Sequence, residues 1–515
     1  MRVPQPRSWA LQPQTPPSMD TAEDTASAKL PPALPEAPIE KVCEFPDKLS
    51  PMLVKELRQG LRTFTFASVF LTLQGILTVV LLVTGLVTLS SDSTGGGAAV
   101  SMTIFCFYAL VLLVVQPLRG ISALSSEIKG NTIDLMVLTR LSAWRIVWGK
   151  WTSIVSQSGL ILLAVLPYLI FRYFFGGMQL FSELFLLGYL FVVSATLTAL
   201  SIGISGLGSG LIRGIAVVGG GGFLAGFVLF EFTGNLETYI SALSLASTDV
   251  FLFALGLLVL CLYLGYFALE LATSFIAPAA ENRATHKRLI GLAVALSSFL
   301  AVQAYDLTSA VIAAGVVGMM ISFDAYSESA TFPRAVTRPF LRRGALGRLC
   351  GRFLYPGWAS GNLFVLLFAG LMALLTLVFT KLRGSDSTPW LALGISLGVM
   401  LFPAAMMQLF AKKSGNRHSR YLALAAIGWS LTCLLTILYS AASSDLLWWI
   451  FCPVPMVQAP MSAVFRDGPN AGYLPFIAWL TTALYWAIVM ISALPEFRRI
   501  RAVSYTHLTL PTKIV

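Results

Sequence analysis

Twelve apolar runs, each about 18 to 25 residues long and parted by short polar or charged loops, decide what this chain can fold into. A helix of that length crosses the hydrocarbon core of a bilayer, whereas the strands of a membrane barrel are about half as long and alternate apolar with polar residues. The runs fall at 66–89, 98–117, 152–174, 184–205, 214–232 and 250–275, then at 289–304, 307–323, 362–380, 389–410, 421–442 and 473–494. Composition agrees: 56% of the 515 residues are hydrophobic and 11% charged, against about 25% charged in a soluble domain. Too little polar surface exists to face water, so the chain reads as an all-α polytopic membrane protein with lipid as its solvent.

The formal net charge of +11 points to the membrane and not to nucleic acid, because the basic residues sit in short loops between apolar runs. Segments 118–150, 276–288, 324–361 and 411–420 are basic, while 90–97, 233–249 and 443–445 carry no Lys or Arg. Basic loops stay on the cytoplasmic side, which predicts cytoplasmic N- and C-termini in an inner (plasma) membrane. Arg172, Lys381 and Arg383 are minor exceptions. The stretch 446–465, LLWWIFCPVPMVQAPMSAVF, is apolar enough to span. Pro453, Pro455 and Pro460 would interrupt a continuous helix there, and a span would put the basic end EFRRIRA outside. A re-entrant element on the outer side resolves both conflicts and leaves twelve spans.

Residues 1–49 are rich in Pro, Ala, Ser and Thr, and read as a disordered cytoplasmic tail. No basic-then-apolar cleavable leader stands there, so insertion is expected to depend on the first span. Ser50-Pro51 then opens a short helix, 50–65, with Ser as N-cap and Pro at the first helical position. Leu53, Val54, Leu57 and Leu61 share one face of it, and Lys55, Glu56, Arg58 and Arg62 mark the polar side. This predicts an amphipathic helix in the headgroup plane; an extension of the first span is the competing reading. At the other end, 503–515 reads as a non-native tail, as if SYTHLTLPTKIV were translated from an adapter.

Convergent polar groups for catalysis are missing from the sequence pattern. Gly149-Lys150 is followed by Trp151, with no glycine five residues before Gly149, so it is no phosphate-binding loop. Cys43, Cys106, Cys261, Cys350, Cys433 and Cys452 are scattered without CxxC spacing, and His286, His418 and His507 are dispersed. Neither a metal nor a cofactor is expected on this chain. Gly219 to Gly222 read as a close-packing or flexible point within an apolar helix. Glu270 reads as a solvated residue at a helix end, and Asp306 as a loop residue.

The segment after the second run, ISALSSEIKGNTIDLMVLTRLSAWRIVWGKW, is the distinctive one. A helix end with Glu127 and Lys129 breaks at Gly130-Asn131. Thr132 then caps a short apolar helix, Ile133 to Leu138, with Asp134 in its favourable first turn. Ser142 caps the next helix, which Arg145 and Lys150 anchor. An exposed apolar helix in such a loop is expected to cover itself with a partner, or else to lie flat on lipid.

This segment resembles the coupling loop of ABC-2 type transporter permeases. The matching residues are Glu127, Gly130, Thr132, Leu135, Thr139, Leu141, Ser142, Ile146, Gly149 and Lys150. Asn131 is an insertion, Arg140 stands where proline is usual, and Arg145 replaces an acidic residue. The opening SPMLVKELRQGLR is similar to that family's N-terminal interfacial helix. The resemblance covers 50–275 in detail and the rest by helix pattern. It implies two six-helix units, 66–288 with coupling loop 118–150 and 289–502 with the re-entrant element. It also implies no ATPase motif on this chain and a separate ABC ATPase subunit carrying ATP and Mg. That subunit would dock on Glu127, Gly130, Thr132, Asp134, Leu135, Leu138, Thr139, Arg140, Leu141 and Ser142. Export is the usual direction, and a second permease copy is a partner the resemblance admits. The second unit's corresponding loop, FPRAVTRPFLRRGALGRLCGRFLYPGW, is basic but lacks the coupling pattern. An ion-coupled secondary transporter and a non-transporting membrane scaffold are the alternatives.

Overall fold

A computed structural model describes residues 51–509, apart from 91–95, 131–141, 175–178, 208–209, 235, 237–238, 241–247, 279–280, 330–333, 385–386, 411–415, 443–444 and 466–470. The predicted tail 1–49 and the whole of the predicted coupling helix, Ile133 to Leu138, lie outside the described residues. Of the segment 503–515, the described backbone continues the last helix to Thr509.

Every element among the described residues is helical. After α1 (Pro51–Leu61), six helices long and apolar enough to cross a membrane follow. These are α2 (Phe64–Val87), α3 (Val100–Lys129), α4 (Ala143–Tyr173), α5 (Leu180–Ser205), α6 (Ile212–Phe230) and α7 (Ala254–Ile276). The second half begins with α8 (Arg283–Val302) and α9 (Leu307–Ser327). Two short helices, α10 (Arg334–Leu341) and α11 (Gly344–Leu354), lead into α12 (Trp358–Arg383), α13 (Thr388–Phe410) and α14 (Arg417–Ala441). Then come α15 (Asp445–Phe451), α16 (Pro455–Val464) and α17 (Leu474–Ile500). That makes twelve candidate spans, the number read from the sequence, and an all-α polytopic membrane protein.

The two halves share part of one packing order. In the first, α5 is the hub, packed on α3, α4 and α7; in the second, α13 packs on α9, α12 and α17, but also on α14 and α16, more than on α12. Hub and shared partners are the fourth, second, third and sixth spans in each half. The halves meet along α7, whose Tyr263 and Phe267 join the cluster of Ala295, Phe299, Val317 and Phe364. Phe275 of α7 also meets the His418 ring of α14 edge-on.

Proline chemistry shapes α3. A π turn spans Val111–Val115, in which the Gln116 N–H bonds to the Val111 carbonyl five residues back. The next donor in that register would be Pro117, which has no N–H, so the Leu112 carbonyl is left open. The Ser194 hydroxyl of the hub helix donates to it at 2.6 Å.

The stretch 446–465 forms no span. It breaks at Cys452–Val454 into α15 and α16, and both its ends connect to the same end of the bundle, where α14 stops and α17 starts. Buried Gln458 donates to the Cys452 carbonyl and to Thr481 Oγ1 of α17, and Tyr485 donates to the Pro453 carbonyl at 2.7 Å. Those bonds satisfy backbone that a broken helix leaves open.

Three sequence expectations need correction or refinement. Glu270 is not solvated: it is 3% exposed, takes an ion pair from Arg283 at 3.3 Å and accepts a bond from the Tyr266 hydroxyl. Its carboxylate tolerates burial because α8 brings a cation to it. Of Gly219 to Gly222 only Gly221 faces another helix, where a β-carbon would meet Leu118 of α3 at 3.4 Å; a β-carbon at Gly219, Gly220 or Gly222 would meet none. A π turn spans Ala216–Gly220. Ser142 does occupy the N-cap of α4, but its side chain makes no capping bond. Asp306 does lie in the loop between α8 and α9, as read, and there it also caps α9 by accepting from the Ser309 N–H at 2.6 Å.

Candidate functional site

All the basic loops lie at one end of the bundle, the end where α1 joins and α17 finishes. There the first half gathers the described ends of the coupling motif. α3 bends at Ile121–Leu124 before its last turn, and the Ser205 hydroxyl accepts from the N–H groups of Leu124 and Ser125, at 2.9 and 3.1 Å. The hub helix thus holds the segment that carries Glu127.

Lys150, about two turns into α4 on its buried face, places its Nζ 2.6 Å from Glu127 Oε1 and 3.2 Å from Glu56 Oε1 of α1. Its side chain is 7% exposed and the two glutamates 17% and 16%. One ammonium therefore ties together three helix ends. α1 packs on α4 more than on α2, so it is a separate helix and not an extension of the first span. A second bridge reinforces the joint. Arg119 donates to Gln116, to Gln157 of α4 and to Thr63 of the α1–α2 turn, with its guanidinium over the Phe66 ring.

The remaining site residues sort by position. Gly130 and Ser142 flank the loop and are exposed; Lys55, Arg58 and Arg62 are exposed on or beside α1. Ile146 and Gly149 are buried on the same face of α4 as Lys150. Trp144, Trp148 and Trp151 run along α4 in ring contact, and Trp144 also meets Tyr266 of α7. Thr132, Asp134, Leu135, Leu138, Thr139, Arg140 and Leu141 lie outside the described residues.

The second half builds its own charge cluster at the same end, and the sequence reading missed it. Lys287 Nζ of α8 lies 2.6 Å from Asp324 Oδ1 of α9 and 3.4 Å from Glu328, with Lys287 and Asp324 both 2% exposed. Arg288, 1% exposed, pairs with Glu328 at 2.8 Å. Its guanidinium also donates to the carbonyls of Phe353, Tyr355 and Gly357. The available signal was charge just outside two apolar windows, at 287–288 and 324–328, which had been assigned to loops. Arg172 and Glu183 form another buried pair, at 3.6 Å, at the opposite end.

Between α2 and α4 a cavity of about 540 Å³ is lined by Gln74, Thr78 and Tyr168 among apolar walls. That size suits a small-molecule ligand. The described residues hold no cluster of His, Cys, Asp or Glu able to bind a metal, and the described cysteines are free. Comparison with protein families, curated proteins and solved structures finds no match to this chain.

Proposed function

We propose that this chain is the membrane-spanning subunit of an ATP-driven exporter of the ABC-2 permease kind, working with a separate ATPase. The basic end is then cytoplasmic, and the membrane an inner (plasma) membrane. The observation that carries the reading is the joint at Lys150. The motif places Glu127 and Lys150 at the two ends of the loop, and the Lys150 ammonium pairs with both Glu127 and Glu56 of α1. A force applied to 130–142 by a docked protein would pass into α1, α3 and α4 together, which is what an ATPase-driven permease needs.

The partly shared packing order supports a two-unit arrangement of six spans each. An ion-coupled carrier is less well supported, because the buried charges of α8 and α9 sit at a bundle end and are paired.

Copurification of the ATPase and permease-stimulated ATP hydrolysis test the reading. Leu138→Asp, at the end of the docking helix, and Arg140→Glu, in the turn after it, are expected to weaken the complex by about 2 kcal/mol or more, the cost of losing a central anchor. Glu127→Ala is expected to leave the ATPase bound but to weaken stimulation. Unchanged binding and hydrolysis in the two loop variants would remove the reading.

A further inference from the structure

The link between α9 and α12 has a charge pattern that the joint at Lys150 does not explain. It carries Arg334, Arg338, Arg342, Arg343, Arg348 and Arg352, and no acidic residue occurs between Glu328 and Asp386. None of the ion pairs among the described residues engages Arg338, Arg342, Arg343, Arg348 or Arg352. α10 and α11 form a helical hairpin whose turn needs Gly344, with φ +71°.

α11 has three faces. Gly347 and Gly351 are buried, the first against α10 and the second against Tyr355. Leu346, Leu349, Cys350 and Phe353 line a second face at helical spacing, and Leu346 and Leu349 are 75% and 51% exposed. Arg348 and Arg352 occupy the third. The helix is fixed in depth by its last carbonyls. Arg288 and Thr285, in the first turns of α8, donate to the carbonyls of Phe353 and Leu354, and α12 begins at Trp358. An element tied to the first turns of two spans sits at the membrane–water boundary, where exposed leucines reach acyl chains and arginines reach phosphates.

We infer that α10 and α11 form a binding surface for anionic phospholipid of the leaflet at the basic end. Charge complementarity selects this occupant: five described arginines without carboxylate partners beside an exposed leucine face match a negative headgroup above its acyl chains. The inference stands independently of the permease reading.

The test uses the full chain with its other cysteines replaced and a fluorophore on Cys350, in nanodiscs of phosphatidylcholine containing phosphatidylglycerol. In separate samples at the same composition, one or the other lipid carries brominated chains. Brominated lipid is expected to quench the label, with phosphatidylglycerol quenching well beyond its mole fraction. That preference should fall with added salt. In Arg338→Gln/Arg342→Gln/Arg348→Gln/Arg352→Gln it should drop toward parity, by about fivefold for each arginine at low salt. The salt series on the unsubstituted arginines stands alone if that variant does not fold. Equal quenching by the two lipids, a salt-independent preference, or a label that lipid never quenches but a copurified protein shields would each overturn the inference.

Discussion

Lys150 Nζ lies 2.6 Å from Glu127 Oε1, across the mouth of the loop that joins α3 to α4. Glu56 of α1 shares the same ammonium at 3.2 Å, so two carboxylates depend on one cation. Lys150→Met would leave both facing each other without compensation. Removing one partner of a buried pair costs more than the pair itself contributes, and the glutamates' residual exposure softens that penalty. The expected loss is about 1–3 kcal/mol, read as an earlier heat-induced loss of the monodisperse peak in detergent. Lys150→Arg should retain most of the stability. A Met variant that survives heating as well as the parent would show that the joint contributes nothing.

The Lys287–Asp324 pair should behave more severely, because neither side chain is more than 2% exposed. Lys287→Met alone is expected to cost about 3–5 kcal/mol. Adding Asp324→Leu should recover much of it, since the buried charge it would otherwise strand is gone. A double variant weaker than the sum of the singles would mean that the pair is not the unit that matters.

Asp306 provides a pH-dependent case. Partial burial pushes its carboxyl upward, but hydrogen bonds from Ser309 and Thr308, together with Arg383 nearby, outweigh this and hold it below the ordinary aspartate range. A depressed carboxyl contributes stability above its unfolded value, about 3.9, and loses it as pH falls through the folded value. Asp306→Ala should therefore cost about 1 kcal/mol near neutral pH, as for a lost N-cap. The gap to the parent should close on acidification below the ordinary aspartate range. A gap that is constant down to strongly acid pH would assign the effect to something other than the carboxylate.

Orientation is testable by labelling single cysteines in intact cells. Positions Ser93 and Asn235 should react with an impermeant reagent from outside, and Arg343 and Gly415 should not, if the basic end is cytoplasmic. Ser443 and Asp467, which flank α15 and α16, should both react from outside. Protection of Asp467 alone would make that stretch a span.

The spans were legible because hydrophobic length is a local property: each apolar run became one helix. The apolar runs fell short of the helices where charge is buried by a distant partner. α4 starts at Ala143, directly after the Ser142 position read as its N-cap, although its apolar run begins only at 152; Lys150 enters the helix against Glu56 and Glu127. α8 and α9 extend to Arg283 and Ser327 for the same reason, with Lys287, Arg288 and Asp324 inside them. Glu270 looked solvated because its partner, Arg283, is on another helix. The joint at Lys150 was half legible: the resemblance selected Glu127 and Lys150, but nothing local said that Glu56 would meet them. The α10–α11 hairpin was read only as a basic loop, although Leu346, Leu349 and Phe353 already had helical spacing.

Close helix approach gives the last prediction, on α12. A β-carbon at Gly361 would stand within 3 Å of the Ala325 carbonyl group of α9, which is backbone and cannot rotate away. At Gly370, about two and a half turns further along the same helix, a β-carbon would meet nothing within 4 Å. The two positions differ in surroundings and not in secondary structure, so they separate packing from helix propensity. Gly361→Ala must push α9 and α12 apart, and overpacking of this kind costs about 1–3 kcal/mol. Because α9 carries Asp324 one residue before Ala325, the displacement should also lengthen the ion pair to Lys287. Gly370→Ala should be neutral or slightly stabilising, since alanine is the better helix former. Heat survival of both variants in detergent measures the contrast, and equal survival would mean that α9 and α12 do not approach as closely as Gly361 allows.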